Sequence, residues 1–88
     1  MITPNRVTII VADGAVYTET AVYTDLDLSQ CGIPENVHAL QFLNGQGEIE
    51  WKGHRIPNEP ITELPSWALN CLSKWEEAHQ IFTQENPV

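Results

Sequence analysis

The chain has 88 residues, enough for one domain and too few for two. Its formal charge of −8, from twelve acidic and four basic residues, argues against direct binding to nucleic acid or to an anionic membrane. A composition that is 42% hydrophobic and 18% charged is typical of a globular chain and excludes a disordered one.

The first predicted element is a β-hairpin over residues 6–23. An apolar, β-branched run, Val7 to Ala12, is interpreted as a strand and not as a signal peptide. Asp13-Gly14 is a strong hairpin turn signal, and as a two-residue turn it predicts that Val11 faces Val16. The second strand alternates less cleanly, which favours an edge position. A connection without regular period follows over residues 24–36.

The clearest element is a second hairpin over residues 37–52. Asn44-Gly45 is compatible with a type I′ turn and Gly45-Gln46 with a type II′ turn, and a four-residue loop is also open. All three alternatives differ by an even number of residues, so they keep the same side chains on one face. That face is predicted to be apolar, with His38 beside Leu40, Phe42, Ile49 and Trp51.

An extended segment, residues 53–61, precedes a predicted amphipathic helix over residues 63–83, with Thr62 as N-cap and Pro65 in the first turn. At 100° per residue one stripe contains Leu64, Ala68, Cys71, Leu72, Trp75, Ala78, His79 and Phe82, with Trp67 on its border. We therefore expect a single α+β domain, residues 1–88, in which two antiparallel hairpins form a small sheet packed on one C-terminal helix. The predicted core comprises Leu40, Phe42, Ile49, Trp51, Leu64, Ala68, Cys71, Trp75 and Phe82.

The sequence predicts no metal or cofactor. Zinc ligands come in close pairs, and the candidates Cys31, His38, His54, Cys71 and His79 are too widely spaced to form one. The two cysteines could pair or stay reduced, and the lack of an export signal favours two free buried thiols. A nucleophile pair of Cys71 with His38 stays open, although its signal is weak.

Glu48 and Glu50 are the best candidates for acid–base chemistry. They share the face opposite the apolar one, about 7 Å apart along the strand. Paired carboxylates at that separation act in glycosidases, yet on an exposed hairpin face they are far more often solubilising residues. The chain is therefore predicted not to be an enzyme, and a small hydrolase would need clustered titratable residues in a cleft.

The helix is also predicted to supply a protein interface. Its apolar stripe spans roughly 140°, wider than the minimum of about 100° for a core-facing stripe. Trp67 is a candidate anchor, with Leu69 and Ile81 outside the stripe on either side. The alternative, that Trp67 covers the edge of the core, is equally favoured.

Residues 27–79 resemble a module of tailed-phage and prophage proteins. In that module a D-L-S…I-P-x-x-(V/I)-H-A-L-Q-(W/F) segment precedes G-x-x-G-x-I-E-(W/F/Y), then N-E-x-I-T-x-L and a helix ending near W-x-x-A. The matching positions are Asp27, Leu28, Ser29, Pro34, His38, Ala39, Leu40, Gln41, Gly47, Ile49, Glu50, Asn58, Glu59, Ile61, Leu64 and Trp75. Departures are Phe42 after Gln41, the inserted Cys31, and Lys52-Gly53-His54 in place of an acidic-Gly turn.

The resemblance implies a non-enzymatic protein that acts by protein–protein contact in tail or tail-fibre assembly, or as a minor structural component. The implied partner is a phage tail or tail-fibre protein, or a second copy of the chain. The implied location is the cytoplasm of a bacterial host or the virion. The alternative is an acidic decoy that mimics nucleic acid and blocks a host DNA-binding protein. It would need acidic residues in phosphate-like rows, whereas here they are scattered.

Overall fold

The computed structural model describes residues 4–53 and 55–85, in which one six-stranded antiparallel sheet packs against one α-helix. This confirms the predicted α+β class. The elements are β1 (Arg6–Ile10), β2 (Ala15–Thr18), β3 (Val22–Tyr23), β4 (Val37–Leu43), β5 (Gln46–Trp51), β6 (Glu59–Ile61) and α1 (Ser66–Glu85). The strand order is β3-β2-β1-β4-β5-β6, so β3 and β6 form the two edges.

The turn between β1 and β2 is longer than predicted. Ile10 pairs with Ala15, and a 3₁₀ turn over Val11–Asp13 followed by Gly14 closes the loop. The prediction that Val11 faces Val16 is therefore wrong. Gly14 has a φ of +57°, and a Cβ there would lie 2.5 Å from the Leu26 carbonyl oxygen. The connection thus packs directly on this turn.

The second strand of the predicted first hairpin is divided into β2 and β3. The Thr18 hydroxyl accepts hydrogen bonds from the N–H groups of Thr20 (3.1 Å) and Ala21 (3.4 Å), which turns the chain at that point. The short strand β3 then pairs back on β2, with Val16 opposite Tyr23. This added turn gives the sheet an end strand of two residues.

The second hairpin has the type I′ turn among the three alternatives. Leu43 pairs with Gln46, and the two loop residues, Asn44 and Gly45, have φ values of +51° and +82°. A bulge between Val37 and Ala39 alters the alternation at the start of β4. Val37 is consequently buried and His38 is exposed, so the prediction that His38 lies on the apolar face is wrong.

Helix α1 begins at Ser66 and not at residue 63. Leu64 precedes a proline, and the proline ring disfavours helical backbone at the residue before it. The Pro65 carbonyl accepts hydrogen bonds from the N–H groups of Ala68 (3.0 Å) and Leu69 (3.2 Å), which starts the helix there. Thr62 therefore lies outside the helix and does not cap it. Within the described residues, α1 lacks the apolar length that a membrane-spanning helix needs.

The core lies between one face of the sheet and α1. Its buried side chains are Val7, Ile9, Val16, Val37, Leu40, Phe42 and Ile49 from the sheet, Trp67, Ala68, Cys71, Leu72 and Trp75 from α1, and Leu28 and Cys31 from the connection. Trp51 and Leu64, also predicted to be core, are partly buried against it. Phe82 was predicted to be core and is 52% exposed. It packs beside Tyr23 on β3, which is the last strand at that edge of the sheet in the described part of the chain.

Candidate functional site

Four aromatic side chains meet where α1 crosses β3, and we call them the edge cluster: Tyr23, Trp75, His79 and Phe82. The three helical members recur at spacings of four and three residues, which places them on one side of α1. Tyr23 lies across from them on the end strand of the sheet. The edge cluster therefore joins the edge strand β3 to the middle and the C-terminal part of α1.

The rings of the edge cluster contact one another in favourable geometries. Trp75 and His79 stack, with ring centroids 4.8 Å apart and planes 16° apart. Tyr23 meets Trp75, His79 and Phe82 edge-on at centroid distances of 5.9, 5.9 and 6.3 Å. Offset-stacked and edge-to-face pairs of this kind each contribute about 0.5–1.5 kcal/mol beyond the area that they bury.

Hydrogen bonds hold the polar atoms of the edge cluster in place. The Trp75 Nε1–H donates to the Ala21 carbonyl oxygen at 3.1 Å. The Tyr23 hydroxyl and His79 Nδ1 lie 2.7 Å apart, and the hydroxyl donates when that ring nitrogen carries no proton. The rings are thus fixed before any partner binds, which lowers the entropy cost of binding.

Exposure increases outwards through the edge cluster. Trp75 is buried, Tyr23 and His79 are partly exposed, and Phe82 is half exposed. On the opposite face of the same sheet edge, Val22 is 47% exposed and its strand neighbour Tyr17 is also exposed. Both faces of this edge therefore present apolar side chains to solvent.

The three predicted interface residues separate in the structure. Trp67 is only 8% exposed and packs in the core, so its prediction as an exposed anchor is wrong and its alternative is right. Trp67 lies in the first turn of α1, and its side chain is part of the core cluster there. Leu69 and Ile81 are 44% and 56% exposed. They remain surface positions, and their part in an interface stays a prediction.

Sequence reasoning missed the edge cluster. It assigned Phe82 to the core and gave Tyr23 no role. Two features of the sequence point to such a cluster. They are the helical spacing of Trp75, His79 and Phe82, and the expectation of an edge strand after residue 18. What the sequence did not show is that the chain turns again at Thr20, which brings Tyr23 beneath the helix.

The two cysteines are free and buried. Burial raises the pKa of the Cys71 thiol to about 12, and the neighbouring Cys31 adds to this effect. Cys71 therefore stays protonated near neutral pH. His38 is exposed, and no hydrogen bond among the described residues joins it to Cys71, so the nucleophile pair left open by the sequence is not assembled.

The carboxylates of β5 contact neutral amides. Gln41 Nε2 donates to Glu50 Oε2 at 2.7 Å, and Asn58 Nδ2 donates to Glu48 Oε2 at 3.1 Å. Within the described part of the chain, no group of three or more histidine, cysteine or acidic side chains is placed to hold a metal ion. His54, one of the candidate ligands, lies outside the described residues.

An open groove of about 490 Å³ lies between the 3₁₀ turn and the connection, lined by Val11, Ala12, Asp13, Gly14, Asp25, Leu26, Leu28, Ser29, Ile33, Pro34 and Glu35. Its one serine hydroxyl donates to Asp27 Oδ1 at 2.6 Å. A serine hydroxyl bonded to an exposed carboxylate has no general base of suitable pKa beside it. The groove thus offers less for function than the edge cluster does.

Comparisons of the chain with models of protein families, with curated protein sequences and with solved structures find no match.

Proposed function

We propose that the chain is a non-enzymatic binding module that acts by protein–protein contact through the edge cluster. The observation that carries this proposal is a half-exposed ring, Phe82, held beside aromatic partners that are themselves fixed by hydrogen bonds. Aromatic side chains, phenylalanine included, are enriched at protein interfaces, and the few buried aromatic anchors there carry much of the binding energy.

The setting that we propose is tail or tail-fibre assembly in a bacteriophage or prophage, in the bacterial cytoplasm or in the virion. This setting follows from the resemblance of residues 27–79 to the phage module. The proposed partner is a tail or tail-fibre protein. Exposed apolar side chains on both faces of the β3 edge support a role in contact with such a protein.

The acidic decoy is the weaker candidate, because several carboxylates bond to groups of the chain itself. Glu19 accepts hydrogen bonds from the N–H groups of Asn5 and Arg6 at 2.8 and 3.1 Å. Asp27, Glu48 and Glu50 also accept hydrogen bonds. A nucleic-acid mimic presents its negative charges in free, regular rows to a basic partner.

Site-specific photo-crosslinking tests the proposed function. A photoreactive phenylalanine analogue replaces Phe82 in one version of the protein and Leu43 in a matched control, since Leu43 is an apolar side chain that is exposed to a similar degree and is not a predicted interface residue. We expect the version with the probe at position 82 to crosslink a defined protein in cells that produce the phage particle, and the control to crosslink it much less. Equal crosslinking from both positions, or from neither, would contradict the proposal.

A further inference from the structure

The two edges of the sheet differ in what their backbones offer to another strand. In β6, Pro60 faces Glu48, between the pairs Gly47–Ile61 and Ile49–Glu59. Along neighbouring antiparallel strands, hydrogen-bonded residue pairs alternate with non-bonded pairs. Because the type I′ turn makes Leu43–Gln46 a hydrogen-bonded pair of β4 and β5, the type of every later pair, including those between β5 and β6, follows from it. This alternation directs the Pro60 nitrogen outwards. Because that nitrogen carries no hydrogen, the β6 edge cannot donate from its central residue.

The β3 edge has both backbone groups in place. The Thr18 N–H donates to the Ala21 carbonyl oxygen at 3.0 Å, which makes these two residues a bonded pair. By alternation, Val22 and Tyr17 form a non-bonded pair, so the N–H and C=O of Val22 point away from β2. Among the described residues, no backbone group of a turn or loop forms a hydrogen bond with either of them. An added strand would find one donor and one acceptor there.

The side chains beside the β3 edge suit an added strand in which apolar and basic residues alternate. On the helix side, Tyr23 and Phe82 form an aromatic wall. On the other face, exposed Val22 and Tyr17 can carry the aliphatic stem of a lysine or arginine, and the Tyr17 ring can attract its charge. An added strand would place alternate side chains against these two surfaces.

Charge indicates the chemistry of the partner. The chain carries a net charge of −8, and residues 7–51, from the second residue of β1 to the end of β5, contain no lysine or arginine. Glu19 and Asp25 lie on either side of β3 along the chain, and both are exposed. A second copy of the chain would bring like charge to the edge, whereas a basic segment would be attracted to it.

We infer that the β3 edge accepts an extended segment of a partner protein by strand addition, and that this segment alternates apolar residues with lysine or arginine. Its apolar side chains face Tyr23 and Phe82, and its basic side chains face Tyr17 and Val22. This inference rests on the proposed function and specifies the mode of contact. Backbone hydrogen bonds supply affinity in such complexes, and the alternate side chains supply specificity.

The test uses the whole protein and a synthetic peptide of alternating lysine and valine as the probe, followed by amide NMR spectra. We expect the resonances of Val22, Tyr23, Thr24 and Phe82 to shift most. A peptide with glutamate in place of lysine, and one with methylated backbone nitrogens at alternate residues, should each bind at least about tenfold more weakly, a difference of about 1.4 kcal/mol. Shifts spread over the acidic surface, or an N-methylated peptide that binds as well, would overturn the inference.

Two variants at position 22 separate the contribution of the backbone N–H to binding from that of the side chain. Val22→Pro removes the outward N–H, and Val22→Ala keeps it, so we expect Val22→Pro to bind the lysine–valine peptide several-fold more weakly than Val22→Ala. Thermal melts check that both variants fold. If Val22→Pro does not fold, binding of the N-methylated peptide to the unmodified protein tests the role of the backbone hydrogen bonds. Sedimentation that reveals a dimer abolished by Val22→Pro would assign the edge to a second copy and overturn the inference.

The failure of this inference is distinguishable from the failure of the proposed function. If position 82 crosslinks a protein whose affinity is unaffected by Val22→Pro, the contact function stands and strand addition is wrong. If position 82 yields no position-dependent crosslink, the function itself is wrong.

Discussion

Asp27 illustrates how a single exposed side chain organises the connection. Its carboxylate accepts hydrogen bonds from the hydroxyl of Ser29 at 2.6 Å and from the Ser29 N–H at 3.0 Å. The hydroxyl bond is the larger cause of a pKa for Asp27 that is lowered from its ordinary value of 3.8, and the backbone bond is the second. The loop geometry thus favours the charged carboxylate.

The pH dependence of this contact has a definite sign. Because the pKa of Asp27 is lower in the folded state, the contact stabilises the fold above the unfolded pKa and is lost as the pH falls through the folded one. Replacing Ser29 with Ala should raise the pKa of Asp27 towards its ordinary value, and carbon-detected NMR titration measures it. An unchanged pKa in this variant would show that the hydroxyl is not the main cause.

Trp67 and Leu69 make a second test at the scale of the residue. Trp67 is buried, so Trp67→Ala should lower the free energy of unfolding by about 3–5 kcal/mol. Leu69 is exposed two positions further along the same helix, and Leu69→Ala should change it by no more than about 0.5 kcal/mol. Urea titrations of both variants would measure the difference. Similar losses from the two would contradict the assignment of Trp67 to the core.

At the scale of the element, the β4–β5 hairpin depends on two glycines for different reasons. Gly45 has a φ of +82° with open space around it, so its constraint is the backbone angle. At Gly47 a Cβ would clash with backbone atoms of the partner strand, the Gln41 carbonyl oxygen and the Phe42 Cα, the latter at 2.8 Å. The constraint at Gly47 is therefore the close approach of β4.

We expect Gly47→Ala to be the more damaging substitution. Gly45→Ala should destabilise the protein by about 1–2 kcal/mol, the cost of a left-handed conformation for a residue with a Cβ. Gly47→Ala should cost about 3 kcal/mol, at the upper end for overpacking, because the strand backbone itself must shift. Thermal or urea unfolding of the two variants measures this order, and the reverse order would show that β4 and β5 can separate easily.

The elements also show how far the sequence determines the fold. The Asn44-Gly45 turn and the alternation of β5 were readable because each depends on local backbone preferences. The bulge at the start of β4 could not be predicted in this way, because a bulge is defined by the pairing of two strands. The late start of α1 had a local signal in Pro65, which disfavours helix at Leu64, although Pro65 itself is compatible with a first turn.

At the scale of the whole molecule, the sequence predicts the helix and its core-facing side correctly. Its position relative to the edge of the sheet is predicted wrongly. Periodicity identifies its core-facing side, with Ala68, Cys71 and Trp75 buried as expected. It does not say where the sheet ends beneath the helix. The sequence therefore predicts an exposed Trp67 and a buried Phe82, and the structure has the reverse. Trp67 lies over the sheet, and Phe82 lies at its edge. The candidate site was missed because it depends on this tertiary placement.

The central claim is that the edge cluster binds a protein, and the affinity of the crosslinked partner tests it most directly. Isothermal titration with the purified partner would compare the unmodified protein, Phe82→Ala and the matched control Leu43→Ala, with thermal melts to establish that each is folded. A central aromatic anchor contributes at least about 2 kcal/mol, so Phe82→Ala should bind about 30-fold more weakly. Leu43→Ala should bind within about twofold of the unmodified protein. A folded Phe82→Ala variant that binds as tightly as the unmodified protein would contradict the claim.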